Sequence, residues 1–202
     1  FQPATHAIGD RANRVMLDIY QRVLERHSGE DLRLRMEHAQ IMTPGDITRM
    51  GKLGVIAAMQ PTHCTTDMRW AEQRLGPDRL GGAYAWRSII EAGSTLASGS
   101  DFPVESHDPM LGIQAAVTRA DLEGWPAGGW RPQEKLTLQE ALLSFTAWAA
   151  RASFTESILG TIEPGKLADM VVLDQDLFTI DPAKIHTVHP VTTIVGGVVA
   201  YP

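Results

Sequence analysis

Two apolar spacings alternate along most of this chain. Between Asp10 and Gly29, the residues Val15, Met16, Ile19, Tyr20, Val23 and Leu24 return every three to four positions. That is the period of a helix with one buried face. Asp10 suits its N-cap and Gly29 its stop. Leu32 to Met36 has strand character. The stretch "TPGDITRMGKLG" then predicts a second helix, with Thr43 as N-cap, Pro44 at the first helical position and Ile47, Met50 and Leu53 on its apolar face. Val55 to Pro61 is a continuous apolar run closed by proline, as expected of a parallel strand buried on both faces. Tyr84 to Glu91 predicts a helix closed by Gly93, and "STLASGSD" a short strand ending in Asp101. Pro109–Arg119 and Leu136–Ala152 predict two further helices.

Strand and helix in alternation call for a parallel sheet with right-handed crossovers. The four strand candidates begin near Phe1, Leu32, Val55 and Thr95. A doubly wound sheet and a (β/α)8 barrel both accommodate them, and four units make half of a barrel of ~250 residues. Beyond Phe154 the pattern changes. A Pro-Gly turn precedes Met170–Leu173, and "VTTIVGGVVAYP" is two β-branched runs joined by Gly196-Gly197, a hairpin signal. The tail therefore predicts a small all-β unit.

Composition narrows the function classes. With 202 residues, 44% hydrophobic, 21% charged and a net charge of −6, the chain has the values of a soluble globular protein. Its longest apolar runs are too short to cross a bilayer, and no secretory signal is visible. The acidic balance, without a basic cluster, argues against nucleic acid. A single cysteine, Cys64, excludes an internal disulfide and suits a reducing, cytoplasmic compartment. The chain opens at Phe1 in what reads as a strand, as a trimmed, incomplete or processed product would.

The chemistry lies where strands stop. The first candidate ends Thr5-His6-Ala7, the second Glu37-His38-Ala39 and the fourth Gly99-Ser100-Asp101. In α/β sheets and barrels the C-terminal edge is where active sites form. Imidazole and carboxylate together suit Zn²⁺ and similar ions. Each residue also has a plain structural reading, as a hydrogen-bonded strand-end histidine or a turn-capping aspartate. His63 and Asp67, in "QPTHCTTD", either face the same pocket and touch substrate or are plain loop residues. Cys64 lacks any supporting triad and reads as an inert thiol. His27 suits a helix C-terminus. His186 and His189 read as surface residues, and His107 as a loop residue just beyond Asp101 that approaches the pocket or stays clear of it. Trp125 and Trp130 belong to a Gly/Pro-rich loop that packs on the barrel or covers a substrate.

Six stretches in order, "HAIGDRAN", "RMEHAQ", "MQPTHCTTD", "AYAWRSIIEAG", "SGSDFPV" and "GTIEPGKLADMVVLD", resemble the amidohydrolase superfamily, and within it the branch that includes N-substituted formamide deformylase. The resemblance runs over the whole chain. It implies an α/β fold: residues 1–153 as the C-terminal half of a (β/α)8 TIM-like barrel (strands five to eight), and 154–202 as part of a small β-sandwich. His6 matches the family's fifth-strand metal ligand, His38 the sixth-strand ligand and Asp101 the eighth-strand ligand. Asp101 would also be the catalytic acid/base, and His63 would bind substrate or the oxyanion. The family's His-x-His pair and fourth-strand ligand have no counterpart here, and none of Lys52, Lys135, Lys166 and Lys184 ends a barrel strand.

The implied activity is hydrolysis of a small molecule's non-peptide, amide-type C–N bond with one or two divalent ions, zinc by ligand chemistry, and with neither nucleic acid nor membrane as partner. A non-catalytic half-barrel scaffold and an unrelated barrel lyase are the alternatives. A half-barrel would leave Val55, Ile56 and Leu96 partly uncovered, would self-associate, pair with an N-terminal half or fold only in part, and would hold metal weakly or not at all.

Overall fold

The computed structural model describes residues 1–201. Its first sheet has four parallel strands in the order β1 (Ala4–Ala7), β2 (Arg35–His38), β3 (Ile56–Met59) and β4 (Leu96–Ser98). Between them run α1 (Asp10–Arg26), α2 (Pro44–Leu53), α3 (Pro61–Leu75) and α4 (Trp86–Glu91). After β4 come α5 (Pro109–Thr118), α6 (Leu138–Phe145) and α7 (Ala147–Ala152). The alternation read from the sequence is therefore the architecture: an α/β fold on a parallel sheet. The second helix is capped as expected, with the Thr43 side chain accepting from the Asp46 amide and Pro44 in the first turn.

Several local readings change. The N-cap of α1 is Gly9 rather than Asp10. "QPTHCTTD" is not loop but the start of α3, with Pro61 at its first position. The expected helix Leu136–Ala152 is two helices, broken at Thr146, whose backbone (φ −125, ψ −94) is not helical.

Cross-strand register sorts the side chains onto two faces. Thr5, Met36, Ala57 and Leu96 form one row; His6, Glu37, Ala58 and Ala97 form the next, on the opposite face. The first face meets helices. Met36, Ala57 and Leu96 join one core with Leu17 and Tyr20 of α1, Ile47 and Met50 of α2, Trp86 and Ile89 of α4 and Ile113 of α5. The second face carries His6, the Arg35–Glu37 ion pair, Ile56 and Ala97.

Val55, Ile56 and Leu96 are not uncovered: their exposures are 0%, 3% and 1%. Leu96 belongs to the helix-facing row, and Val55, two residues before Ala57, shares that side. Ile56 is on the other face, where Ala149 and Ala152 of α7 cover it. Arg33 holds the segment after α7 in place. It pairs with Glu156 at 2.6 Å, donates to the Arg151 carbonyl and lies over the Phe154 ring at 4.1 Å.

The tail forms a three-stranded antiparallel sheet in the order β5 (Met170–Leu173), β6 (Pro190–Val195) and β7 (Val198–Tyr201). Gly196 and Gly197 make the hairpin turn, with φ of 57° and 81°, the left-handed pair that such a turn requires. A 3₁₀ segment, Pro182–Thr187, ties this region to the core by burying Ile185 beside α5. His186 is not a plain surface residue. Its backbone N–H and Nδ1 donate to Oε1 of the buried Gln114 at 2.9 and 2.7 Å.

Candidate metal centre

Because β1 to β4 are parallel, their C-terminal ends share one edge. His6 lies on β1 beside Glu37, His38 is the last residue of β2, and Asp101 follows β4 in the next turn. His63 reaches the same place from the first turn of α3. The imidazoles of His6 and His38 meet edge to face, with centroids 4.5 Å apart. Those of His38 and His63 are nearly parallel at 5.9 Å. His63 Nε2 is 4.0 Å from Asp101 Oδ2. One ligand atom from each of His38, His63 and Asp101 falls within 4.8 Å of the others. The group that comes together is thus His38, His63 and Asp101, with His6 against His38 but outside that set of ligand atoms, and His63 enters from a helix rather than a loop.

The backbone is bent to make this cluster. His38, Ala39 and Asp101 have φ of 74°, 45° and 59°, left-handed values that cost non-glycine residues energy and persist only where surroundings enforce them. They turn the chain sharply just as each strand ends.

The donor set fits a divalent ion. Gln60 Oε1 accepts from His38 Nδ1 at 2.8 Å, which puts the proton on Nδ1 and leaves the Nε2 lone pair for an ion. His63 Nε2 is buried with no hydrogen-bond partner among the described residues. Burial pushes the His63 imidazole below its usual pKa, against the opposing pull of Glu105 and Asp101. A neutral imidazole keeps the lone pair that a metal takes. Asp101 is half open, with its side chain 41% exposed, so solvent has access to it.

The other candidates lie outside the cluster. Cys64 is fully buried, which pushes its thiol up to about 12 and leaves it unreactive. His27 caps α1 and contacts Glu30 at 3.1 Å. His107 is exposed and packs edge-on against Phe102, and His189 is exposed on the tail. Trp130 is buried and donates to Glu72 at 3.0 Å, whereas Trp125 is exposed under the Arg69 guanidinium.

Sequence reading did not single out Gln60, Gln40 or Tyr84. Gln40 Nε2 donates to Asp67 Oδ2 at 3.1 Å and to the Tyr84 hydroxyl, which itself donates to Asp67. One signal was available: Cys64, Met68 and Ala71, all buried, keep helical spacing and place His63 and Asp67 one turn apart.

Comparison with known proteins bears on the family and the fold. The family model described as "Amidohydrolase family" matches residues 1–201. Protein LONG AFTER FAR-RED 3 of Arabidopsis thaliana is 38% identical over 202 residues, covering 100% of this chain and 34% of the relative. N-substituted formamide deformylase of Arthrobacter pascens is 32% identical over 202 residues, covering 98% of this chain and 36% of the relative. Among solved structures, an uncharacterized metal-dependent hydrolase from Pyrococcus horikoshii OT3 superposes with a TM-score of 0.78 and 29% identity, over 90% of this chain and 35% of that one. The chain spans about a third of the length of the curated relatives it matches.

Proposed function

Since this chain belongs to the amidohydrolase family, we propose that it carries the metal-binding edge of a hydrolase that cleaves a non-peptide, amide-type C–N bond in a small molecule. On this reading residues 1–153 are the C-terminal half of a (β/α)8 barrel and 154–202 part of a β-sandwich. The observation that carries the proposal is the group His38, His63 and Asp101, with ligand atoms within 4.8 Å of one another and His6 against His38.

His6, His38 and Asp101 are the proposed ligands of a divalent ion, zinc by ligand chemistry, and His63 is close enough to complete the set. When bound, the ion supplies Lewis acidity and lowers the pKa of water toward neutrality. Gln60 keeps the His38 ring in the ligating tautomer. Asp101 accepts a proton from the attacking water and returns it to the leaving nitrogen, so that the C–N bond breaks to give a carboxylic acid and an amine. Outside the ligand set, His63 would instead help bind the substrate or its oxyanion.

The test is hydrolysis of a panel of small N-substituted amides by the zinc-loaded enzyme, read as amine release. Activity that requires metal and is lost in Asp101→Asn supports the assignment. Turnover that survives chelation overturns it.

A further inference from the structure

We infer that Asp67, Tyr84 and Gln40 form a latch that positions His63 and His38 for the metal, an inference that rests on the metal-site reading above. Gln60 occupies the N-cap of α3 but makes no capping bond there. Its side-chain carbonyl is engaged by His38 instead. The N-terminal turn of α3, which carries His63, is therefore left without the usual side-chain anchor. Asp67 lies one turn further on, at i+4 from His63 and on the same helical face. It is held from two directions, by Gln40 at 3.1 Å and by the Tyr84 hydroxyl. Gln40 stands two residues beyond His38. The strand end bearing one imidazole and the helix bearing the other are thus joined by two rungs, His38–Gln60 and Gln40–Asp67.

Tyr84 is fixed in turn. Its φ is 49°, and it is 1% exposed. Its backbone N–H donates to the Gln40 carbonyl at 2.7 Å, and its own carbonyl accepts from Arg119 Nη1 at 2.9 Å. Arg119 is fully buried, stacked over Trp86 at 4.2 Å, with its Nε on the Trp130 carbonyl at 2.7 Å. A residue with left-handed backbone, a buried guanidinium and a carboxylate are thus joined in one hydrogen-bonded network. Groups hydrogen-bonded to a ligand set how it points, and their loss typically weakens metal affinity by about 10- to 100-fold. Gln60 is such a partner of His38, and Gln40, Tyr84 and Asp67 act one contact further out, through the backbone that carries the two imidazoles.

Cobalt(II) titrated into the protein tests this, because its visible bands report affinity and coordination geometry together. Tyr84→Phe keeps the ring and removes the hydroxyl; Gln40→Met keeps the length and removes the amide. The expected result is a ~10- to 100-fold loss of cobalt affinity with altered band intensities in each variant, while the metal-free variants remain folded. Wild-type affinity and spectrum in the variants overturn the inference, as does a lowered melting temperature with unchanged cobalt binding. If one variant fails to fold, the other decides; if both fail, the network is purely structural and the inference falls. Failure of the wild-type protein to take up cobalt overturns the metal reading itself, whereas uptake by the wild type with unaffected variants overturns only the latch.

Discussion

Residue identity at strand ends made part of this site legible. His6, His38 and Asp101 each stand at or just past the end of a strand candidate, so one shared edge is expected once the strands are parallel; there His38 and Asp101 approach each other and His6 lies against His38. His63 was harder to place, because a histidine after a proline looks like a loop residue until the buried stripe of α3 is seen. The contacts of Gln40 were not legible at all. They reach residues 27 and 44 positions away, and no local pattern encodes such pairings. For Asp101 the prediction is chemical. Asp101→Asn preserves size but removes the proton acceptor, and turnover of the active enzyme should fall ~10²–10⁴-fold. Near-normal turnover with metal still bound would take Asp101 out of the mechanism.

At the scale of elements, helix boundaries were mostly set by local chemistry, and tertiary contact supplied the rest. Thr43-Pro44 begins α2 where the sequence indicates. The break at Thr146 has no comparable local signal; Gly160 approaches there so closely that a Cβ would lie 2.9 Å from the Ala147 Cα. The packing of α2 on α4 depends on a similar close approach. A Cβ at Gly51 would sit 1.8 Å from the Ala92 carbonyl oxygen, so Gly51→Ala should destabilise the fold by about 1–3 kcal/mol in denaturant unfolding.

Glu140 joins α6 to α4. It completes a capping box with Thr137 and accepts from the Arg87 guanidinium. Arg87 holds its carboxyl down at about 2, from an ordinary 4.5. The folded state therefore binds this proton less readily than the unfolded state. The stabilisation is complete above pH 4.5 and disappears as the pH falls toward 2. Wild-type protein should exceed Glu140→Gln by about 1–3 kcal/mol at neutral pH and lose that margin across this acid window. A margin that does not change with pH would show that the ion pair is not its source.

Taken whole, the molecule combines a well-buried sheet and helix layer with a tail that is largely open. Val171, Val172, Val191, Val195, Val198, Val199 and Tyr201 are all exposed on three strands. Apolar surface of this kind, beside strand edges, favours association. Sedimentation of the 202-residue chain should show self-association that weakens when Val199 and Val171 are changed to Thr, and a strictly monomeric wild type would count against it. The open tail was legible in outline from its β-branched runs, but what covers it is not written in local sequence. The central claim is that one edge of the parallel sheet gathers His6, His38, His63 and Asp101 around a divalent ion, and cobalt titration of the wild-type protein beside His38→Ala and Asp101→Ala tests it most directly. The account predicts saturable binding with ligand-field bands in the wild type and its loss in both variants. Equal binding by all three proteins, or none by the wild type, would contradict it.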